Sequence, residues 1–317
     1  MSEASDDRGL GSDGRIRREG SLDGVPPAFG PVVADVRGLV AARLGTRLHS
    51  AYLYGSIPRG AAVPGISDLD AVILLRDDPP DTDIHANAAD VYAHAAELAD
   101  VPARRRRGDA VPADAVPADA AAVAQIAVAL DERHEIIDGA GLLCWPVSRI
   151  LDPAERYDLG FFLACLCTPL LGEDVARWLP RYRPTRRLAR DTNGDIAAFL
   201  GRARADLDRA DRARADLDRA DRDRGGDIRR LCRSVTRKLV RTGFTLVMPR
   251  WGGWTSDLFV AARVFGEYYP AQAEAMADAA VLARAPAGDA AVVSDLIGGL
   301  GGWLAREYGR TIGVKAS

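Results

Sequence analysis

The sequence predicts an α+β protein with a small mixed sheet in an N-terminal domain and helices in the rest of the chain. Two short runs rich in β-branched, aromatic and leucine side chains, at 51–54 and 69–75, have the composition of strands, and a third run follows at 141–145. Beyond Pro153 only helical patterns follow. Strands that precede a series of helices are typical of this fold class. We therefore expect an N-terminal domain over residues 26–150 and an all-helical C-terminal domain over residues 151–317.

Composition limits the class of protein. The chain has 317 residues, 48% of them hydrophobic, which is enough for a real core. Its 42 basic and 45 acidic residues give a net charge of −3, which argues against a protein that binds long nucleic acids through a basic face. The four cysteines form no C-x-x-C pair and the four histidines are scattered, so the sequence predicts neither a disulfide scaffold nor a zinc site.

The N-terminal residues 1–25 are rich in Ser, Asp, Gly and Arg, and we expect them to form a disordered leader. They contain no apolar core of a signal peptide. The longest apolar stretch, 159–171, is too short to span a bilayer. The sequence therefore predicts a cytoplasmic protein without a membrane segment.

The elements follow in order along the chain. Apolar spacing predicts a first helix over 26–44, and the strands 51–54 and 69–75 are joined by a glycine-bearing connection. Further helices are expected at 83–98 and 119–134, before the third strand at 141–145. The C-terminal helices are expected at 155–171, 186–200, 227–247, 256–284 and 289–308.

Two duplications interrupt this pattern. Ala-Val-Pro-Ala-Asp occurs twice, at 110–114 and 115–119, after a run of four arginines, and it predicts a linker or insertion at about 100–119. The decapeptide ARADLDRADR occurs at 203–212 and again at 213–222. With one leucine in ten residues, this second duplication predicts a solvated helix or an insertion at about 203–222.

The segment that carries chemistry lies between the first two strands. Gly55 and Ser56 begin a tight turn whose backbone N–H groups can meet an anion, and the Ser56 hydroxyl can add a further donor. Gly60 avoids a side chain where the next turn needs close approach. Asp68 and Asp70 are two residues apart on the second strand, so both carboxylates share one face. Paired oxygen ligands beside a phosphate cradle predict a Mg²⁺–nucleotide site, with Asp68 and Asp70 as metal ligands.

This pattern resembles the signature of the DNA-polymerase-β-like nucleotidyltransferase superfamily: Gly-Ser, a gap of about ten residues, and Asp-x-Asp. The resemblance covers about sixteen positions, from Gly55 to Asp70, with Gly60 also in place. The order of the two predicted domains is similar to that of bacterial small-molecule nucleotidyltransferases of the aminoglycoside type. The resemblance implies transfer of a nucleoside monophosphate, AMP from ATP or the corresponding group of another NTP, to an acceptor hydroxyl, with Mg²⁺ as cofactor.

The family pattern usually includes a third acidic residue on the next strand, as a metal ligand or general base. The run 141–145 contains no acid, while Glu135 and Asp138 lie just before it. We take Asp138 as the third catalytic carboxylate, and the alternative is a solvated carboxylate at a strand entrance. If the third acid is missing, the protein would bind nucleotide without efficient transfer. A non-catalytic nucleotide-binding or antitoxin-like interaction module is therefore the alternative function.

A basic residue from the helical domain holds the triphosphate in proteins that resemble this family. On the helix at 227–247, Lys238 lies at the edge of the apolar stripe and is the candidate, with Arg241 as runner-up. The alternative is a lysine whose stem covers apolar surface. The expected partners are a nucleotide and an unidentified acceptor, a small molecule or a protein. Neither a membrane nor a long nucleic acid is expected.

Overall fold

The computed structural model describes residues 7–77, 118–215 and 221–315, with side chains at all of these positions except 118 and 211–227. The chain divides into two compact units. One comprises Arg18–Pro180, and the other comprises Met1–Arg17 together with Arg181–Ser317. The division falls after Pro180, thirty residues beyond the domain boundary expected from the sequence. The helix expected at 83–98 and nearly all of the insertion expected at 100–119 lie outside the described residues.

The first unit is built on a mixed sheet, which in the described part of the chain has four strands: β1 (Leu48–Tyr54), β2 (Leu69–Leu75), β3 (Ala140–Pro146) and β4 (Thr168–Gly172). Their order is β3-β2-β1-β4. β2 pairs in parallel with β3, and β1 pairs antiparallel with β2 and β4. The mixed sheet followed by helices confirms the α+β class.

Two helices cover one face of this sheet: α1 (Gly30–Leu44), after a 3₁₀ turn at Pro27–Phe29, and α2 (Ala118–Arg133). Alternate residues of β2, beginning at Leu69, are buried in a core with apolar side chains of α1 and α2. Since side chains alternate along a strand, Asp70 and Val72 face the other side of the sheet. The first unit also contains α3 (Val147–Leu151), a helical turn at Leu159–Phe161, a π-helical turn at Phe162–Leu166 and a 3₁₀ turn at Val175–Trp178.

The strand β4 corrects the sequence prediction of a helix over 155–171 and of an all-helical chain beyond residue 151. The helical turns end at Leu166, and Thr168–Gly172 joins the sheet beside β1. β4 is an edge strand, where Pro169 is tolerated because one side of the strand needs no ladder hydrogen bond. Leu170 is buried in the core, so the apolar residues that suggested a helix serve the sheet instead.

The expectation of a disordered leader over residues 1–25 is wrong for residues 7–25. Leu10 and Ile16 form a short antiparallel bridge, and the buried Ile16 donates its backbone N–H to the Tyr182 carbonyl at 2.9 Å. The N–H of Trp254 donates to the Arg8 carbonyl at 2.7 Å. These hydrogen bonds hold a polar segment in place, whereas its composition alone predicts that it is disordered.

The second unit is helical. Its helices are α4 (Arg186–Asn193), α5 (Ile196–Ala215), α6 (Asp221–Trp251), α7 (Leu258–Tyr268), α8 (Ala273–Arg284), α9 (Ala290–Leu296) and α10 (Gly302–Thr311), with a π-helical turn at Ile297–Gly301. The expected helix 186–200 is divided after Asn193, and the expected helix 256–284 is divided at Tyr269 and Pro270. Within the described ranges, no helix is both long and apolar enough to cross a membrane.

The first copy of the decapeptide repeat lies in a helix that packs in this unit, although the sequence favoured a solvated helix or an insertion. It lies on α5, where Ala203 and Leu207 are only 3% and 2% exposed. These two positions are four residues apart and therefore share one helix face. In this first copy, the leucine and one of the three alanines form a narrow buried stripe.

Replacing Leu207 with Ala tests this packing. Loss of a buried leucine side chain leaves a cavity, so we expect the free energy of unfolding to fall by about 2–4 kcal/mol. Val281→Ala is the control in the same unit, because Val281 is 53% exposed; it should change stability by less than about 0.5 kcal/mol. Urea denaturation measures both, and equal small effects would contradict burial of the first repeat.

Candidate functional site

The turn after β1 is shaped by two glycines in the left-handed region. Gly55 has φ +83° and Gly60 has φ +73°, values that other residues adopt only with strain. Two backbone hydrogen bonds close the turn: the Gly60 N–H donates to the Ile57 carbonyl at 3.1 Å, and the Ala61 N–H donates to the Ser56 carbonyl at 3.0 Å. The side chain of Ile57 is buried beneath the turn and anchors it to the core.

This turn presents two backbone donors. Among the residues that the structure describes, the N–H groups of Ser56 and Ile57 donate to no protein acceptor. A backbone N–H group needs an acceptor, and where the protein supplies none, water or a bound anion takes that place. Two adjacent donors beside the Ser56 hydroxyl form a cradle suited to a phosphate group.

Asp70 lies directly beside the beginning of this turn. The β1–β2 register pairs it with Tyr54, the residue before Gly55. A Cβ atom on Gly55 would lie 2.4 Å from Asp70 Oδ2, and one on Gly141, its partner in β3, would lie 3.2 Å from Oδ1. The carboxylate therefore occupies a space that two glycines leave between the three strands.

Asp68 immediately precedes β2 and shares the face of Asp70 because the two residues are two apart. Both are half-buried. Over residues 7–77, 118–215 and 221–315, no group of three or more His, Cys, Asp or Glu residues is placed to hold a metal ion. Mg²⁺ commonly binds one or two carboxylates and completes its shell with phosphate oxygens and water. A pair of aspartates next to a phosphate cradle fits that ion.

Asp138, the sequence candidate for a third carboxylate, is exposed in the connection before β3. Its backbone N–H donates to the Ser67 carbonyl at 3.1 Å, so the connection is tied to the residue before Asp68. On β3 itself, the position beside Asp70 is occupied by Gly141. The catalytic role of Asp138 stays a prediction.

Asp131, at the end of α2, is an acidic residue near this site that the sequence analysis missed. Its Oδ1 is buried and accepts no hydrogen bond within the described residues. Burial raises the pKa of Asp131 to about 6, and the negative charge of Asp68 adds to the increase, while a hydrogen bond from the Ala140 backbone opposes it. A carboxylate with a strongly raised pKa is a common mark of a functional site.

Lys238 lies on α6 in the second unit. Its Nζ is 2.6 Å from Asp195 Oδ1 and 5.7 Å from the centre of the Phe199 ring, and its side chain is 17% exposed. Its cation is thus paired with a carboxylate of the same unit. The expectation that Lys238 binds a triphosphate stays a prediction.

No protein-family model matches the chain, and no curated protein matches it in sequence. The interpretation of the site therefore rests on its own geometry. The turn contains Gly55, Ser56 and Gly60, Asp70 lies beside Gly55, and Asp68 precedes Asp70 by two residues. Gly141 belongs to this set because its missing side chain makes room for Asp70, and Asp131 because the charge of Asp68 acts on its carboxyl group.

Replacing Asp131 with Asn tests whether the ionised Asp131 carboxylate destabilises the folded protein. A pKa raised from 3.8 to about 6 means that the fold disfavours the ionised form. The penalty is absent below about pH 4, grows between pH 4 and 6, and is complete above about pH 6. Allowing for partial solvent exposure, Asp131→Asn should stabilise the protein by about 1–2 kcal/mol at pH 7.5.

This gain should vanish at pH 3.5, where both the folded and the unfolded Asp131 are protonated. Denaturant unfolding in metal-free buffer at the two pH values measures the difference. Asp138→Asn is the matched control, because Asp138 is exposed. A gain that is the same at both pH values, or a loss of stability at pH 7.5, would contradict the buried charge.

Proposed function

We propose that this protein is a Mg²⁺-dependent nucleotidyltransferase that transfers a nucleoside monophosphate, AMP from ATP, to an acceptor hydroxyl. The observation that carries this proposal is a turn beside the Asp70 carboxylate whose Ser56 and Ile57 N–H groups donate to no acceptor in the described part of the chain. Anion donors and metal-binding carboxylates in adjacent positions are what a metal-bound nucleoside triphosphate requires.

The residues of the site have separate tasks in this proposal. Ser56 and Ile57 bind phosphate oxygens through their N–H groups, and the Ser56 hydroxyl adds a third donor. Asp68 and Asp70 would hold Mg²⁺, which supplies positive charge to the phosphates and orients them. An acceptor oxygen then forms a bond to the α-phosphorus, the bond to the β-phosphate oxygen breaks, and pyrophosphate leaves with its electron pair.

The acceptor hydroxyl must lose a proton during this attack. Asp131 is our candidate for the carboxylate that assists, in addition to Asp138, because a pKa of about 6 is close to the range in which a general base is effective. Proton transfer through an intervening water is one route from the acceptor to a carboxylate that does not touch it.

The acceptor is most simply a small molecule or a protein side chain. The net charge of −3 disfavours a long polyanion such as RNA or DNA. ATP and Mg²⁺ are both abundant in the cytoplasm, and we place the proposed reaction there.

A second candidate function is nucleotide binding without transfer. The presence of Gly141 beside Asp70, where an acid on β3 could act on the same metal, favours this alternative. In that case the protein would be a nucleotide-dependent interaction module. It would bind Mg²⁺ and ATP but would release no pyrophosphate with any acceptor.

Titration calorimetry with ATP, in the presence and absence of Mg²⁺, tests the binding part of the proposal. Wild type should bind the Mg²⁺ complex more tightly than free ATP, and Asp70→Asn should lose at least about tenfold in affinity for that complex, since a charged ligand is removed. Asp77→Asn is the matched control, because Asp77 is exposed beyond the other end of β2 and is bonded to the Ser148 N–H at 3.3 Å.

The two candidate functions then separate by turnover. Transfer predicts that label from α-phosphate-labelled ATP appears in a fraction of small metabolites or in protein, and that Asp70→Asn abolishes it. Binding with Mg²⁺ dependence but without label transfer would favour the second candidate. A folded wild type that does not bind ATP, or equal binding by wild type and Asp70→Asn, would overturn the Mg²⁺–nucleotide site.

A further inference from the structure

Residues 18–24, here called the N-terminal arm, pack against the turn that carries the two donors. The Ser21 N–H donates to the Pro58 carbonyl at 3.0 Å. A Cβ atom on Gly20 would lie 3.1 Å from the Pro58 Cβ, and one on Gly60 would lie 3.0 Å from the Gly24 carbonyl oxygen. The arm and the turn therefore meet at backbone distance, which only glycines permit.

One charged pair links the arm to the turn. Glu19 Oε2 lies 3.6 Å from an Arg59 guanidinium nitrogen. The Glu19 side chain is only 16% exposed, and its backbone N–H donates to the Cys165 carbonyl at 2.9 Å, so its position is fixed. A largely buried carboxylate needs cations or hydrogen-bond donors nearby, and the Arg59 guanidinium is one such partner of Glu19.

Arg59 in turn holds a backbone carbonyl of the cradle. Its Nε–H donates to the Gly55 carbonyl oxygen at 2.8 Å. The peptide unit that joins Gly55 to Ser56 is planar and trans, as the chain has no cis peptide bond in the described residues. The carbonyl and the N–H of one trans peptide point in opposite directions. By holding the Gly55 carbonyl, Arg59 directs the Ser56 N–H to the opposite side.

The neighbouring donor is fixed in the same way. The Ser56 carbonyl accepts the Ala61 N–H at 3.0 Å, which directs the Ile57 N–H away from Ala61. One of the two cradle donors is therefore oriented by a backbone bond within the turn. The other is oriented by a side chain that is itself held by Glu19 of the arm.

We propose that Glu19 is a positioning residue for the nucleotide: through Arg59 and the Gly55 carbonyl, it fixes the Ser56 N–H in the orientation that binds phosphate. This inference deepens the proposed function and rests on it. Preorganised donors bind an anion without first being turned toward it, so the arm lowers the free energy needed to form the complex.

Electrostatic repulsion alone predicts that Glu19 weakens the binding of ATP, which is the opposite of the positioning role. A carboxylate near a phosphate site repels the ligand, so its removal should strengthen the binding of ATP. If Glu19 positions Arg59, its removal takes away one of the contacts that hold Arg59 at the Gly55 carbonyl, and the binding of ATP weakens although a negative charge has been lost. The sign of the change in affinity therefore decides between the two.

The experiment measures the dissociation constant of Mg²⁺·ATP for wild type, Glu19→Ala and Arg59→Lys by calorimetry. Glu19→Ala should weaken binding about five- to twentyfold, which corresponds to the loss of one well-placed hydrogen bond. Arg59→Lys keeps the positive charge but loses the Nε–H donor, and it should weaken binding to a similar degree. Asp23→Ala removes a carboxylate from an exposed position of the same arm and should leave the constant unchanged.

A second readout is independent of affinity. In ¹⁵N–¹H spectra of the nucleotide-free proteins, the Ser56 amide signal should shift in both Glu19→Ala and Arg59→Lys and stay in place in Asp23→Ala. Tighter or unchanged ATP binding by Glu19→Ala overturns the inference, as does wild-type affinity of Arg59→Lys. If Glu19→Ala does not fold, the inference is tested by Arg59→Lys alone, through its affinity for Mg²⁺·ATP and the position of its Ser56 amide signal.

Different results would overturn the nucleotide site and the role of Glu19. If wild type binds Mg²⁺·ATP and Asp70→Asn does not, the nucleotide site stands, and the variants of Glu19 and Arg59 then test the arm by itself. If folded wild type does not bind Mg²⁺·ATP at all, both the proposed function and the role of Glu19 are overturned.

Discussion

The register between β1 and β2 is the constraint on which the candidate site depends. It pairs Tyr54 with Asp70, so that the chain turns at Gly55 directly beside the carboxylate. A slip of one residue would move Asp70 to the face that α1 and α2 cover, where its charge would be buried among apolar side chains. The apolar residues of β2 that pack in that core thus also decide where the carboxylates of Asp68 and Asp70, our proposed metal ligands, lie.

Much of the fold could be predicted because the spacing of apolar residues along the sequence reflects which side chains are buried. The strand β2 begins and ends where the sequence predicts it, at Leu69 and Leu75. The five residues from Ala71 to Leu75 are all apolar and all buried. β4 could not be predicted in this way, because its apolar residues continue those of the preceding helical turns and Pro169 suggested no strand. The ordered segment of residues 7–25 was missed because backbone hydrogen bonds, which composition does not report, hold it in place.

The sequence motif identified five site residues, because their spacing fits a strand, a turn and a second strand: Gly55, Ser56, Gly60, Asp68 and Asp70. The sequence could not reveal Asp131 or Glu19, which lie on α2 and on the N-terminal arm. Their relation to it depends on tertiary packing: the charge of Asp68 acts on Asp131, and Glu19 contacts Arg59. A glycine at 141 was a visible signal, but its meaning appears only when β3 is aligned with Asp70.

In our proposal the Ser56 and Ile57 N–H groups bind a phosphate while Asp68 and Asp70 hold its metal ion. A crystal structure with Mg²⁺ and a non-hydrolysable ATP analogue would show both contacts. We expect a phosphate oxygen within about 3 Å of both amide nitrogens and the metal ion bonded to Asp70. A triphosphate bound away from the turn, or a metal ion held without either aspartate, would contradict it.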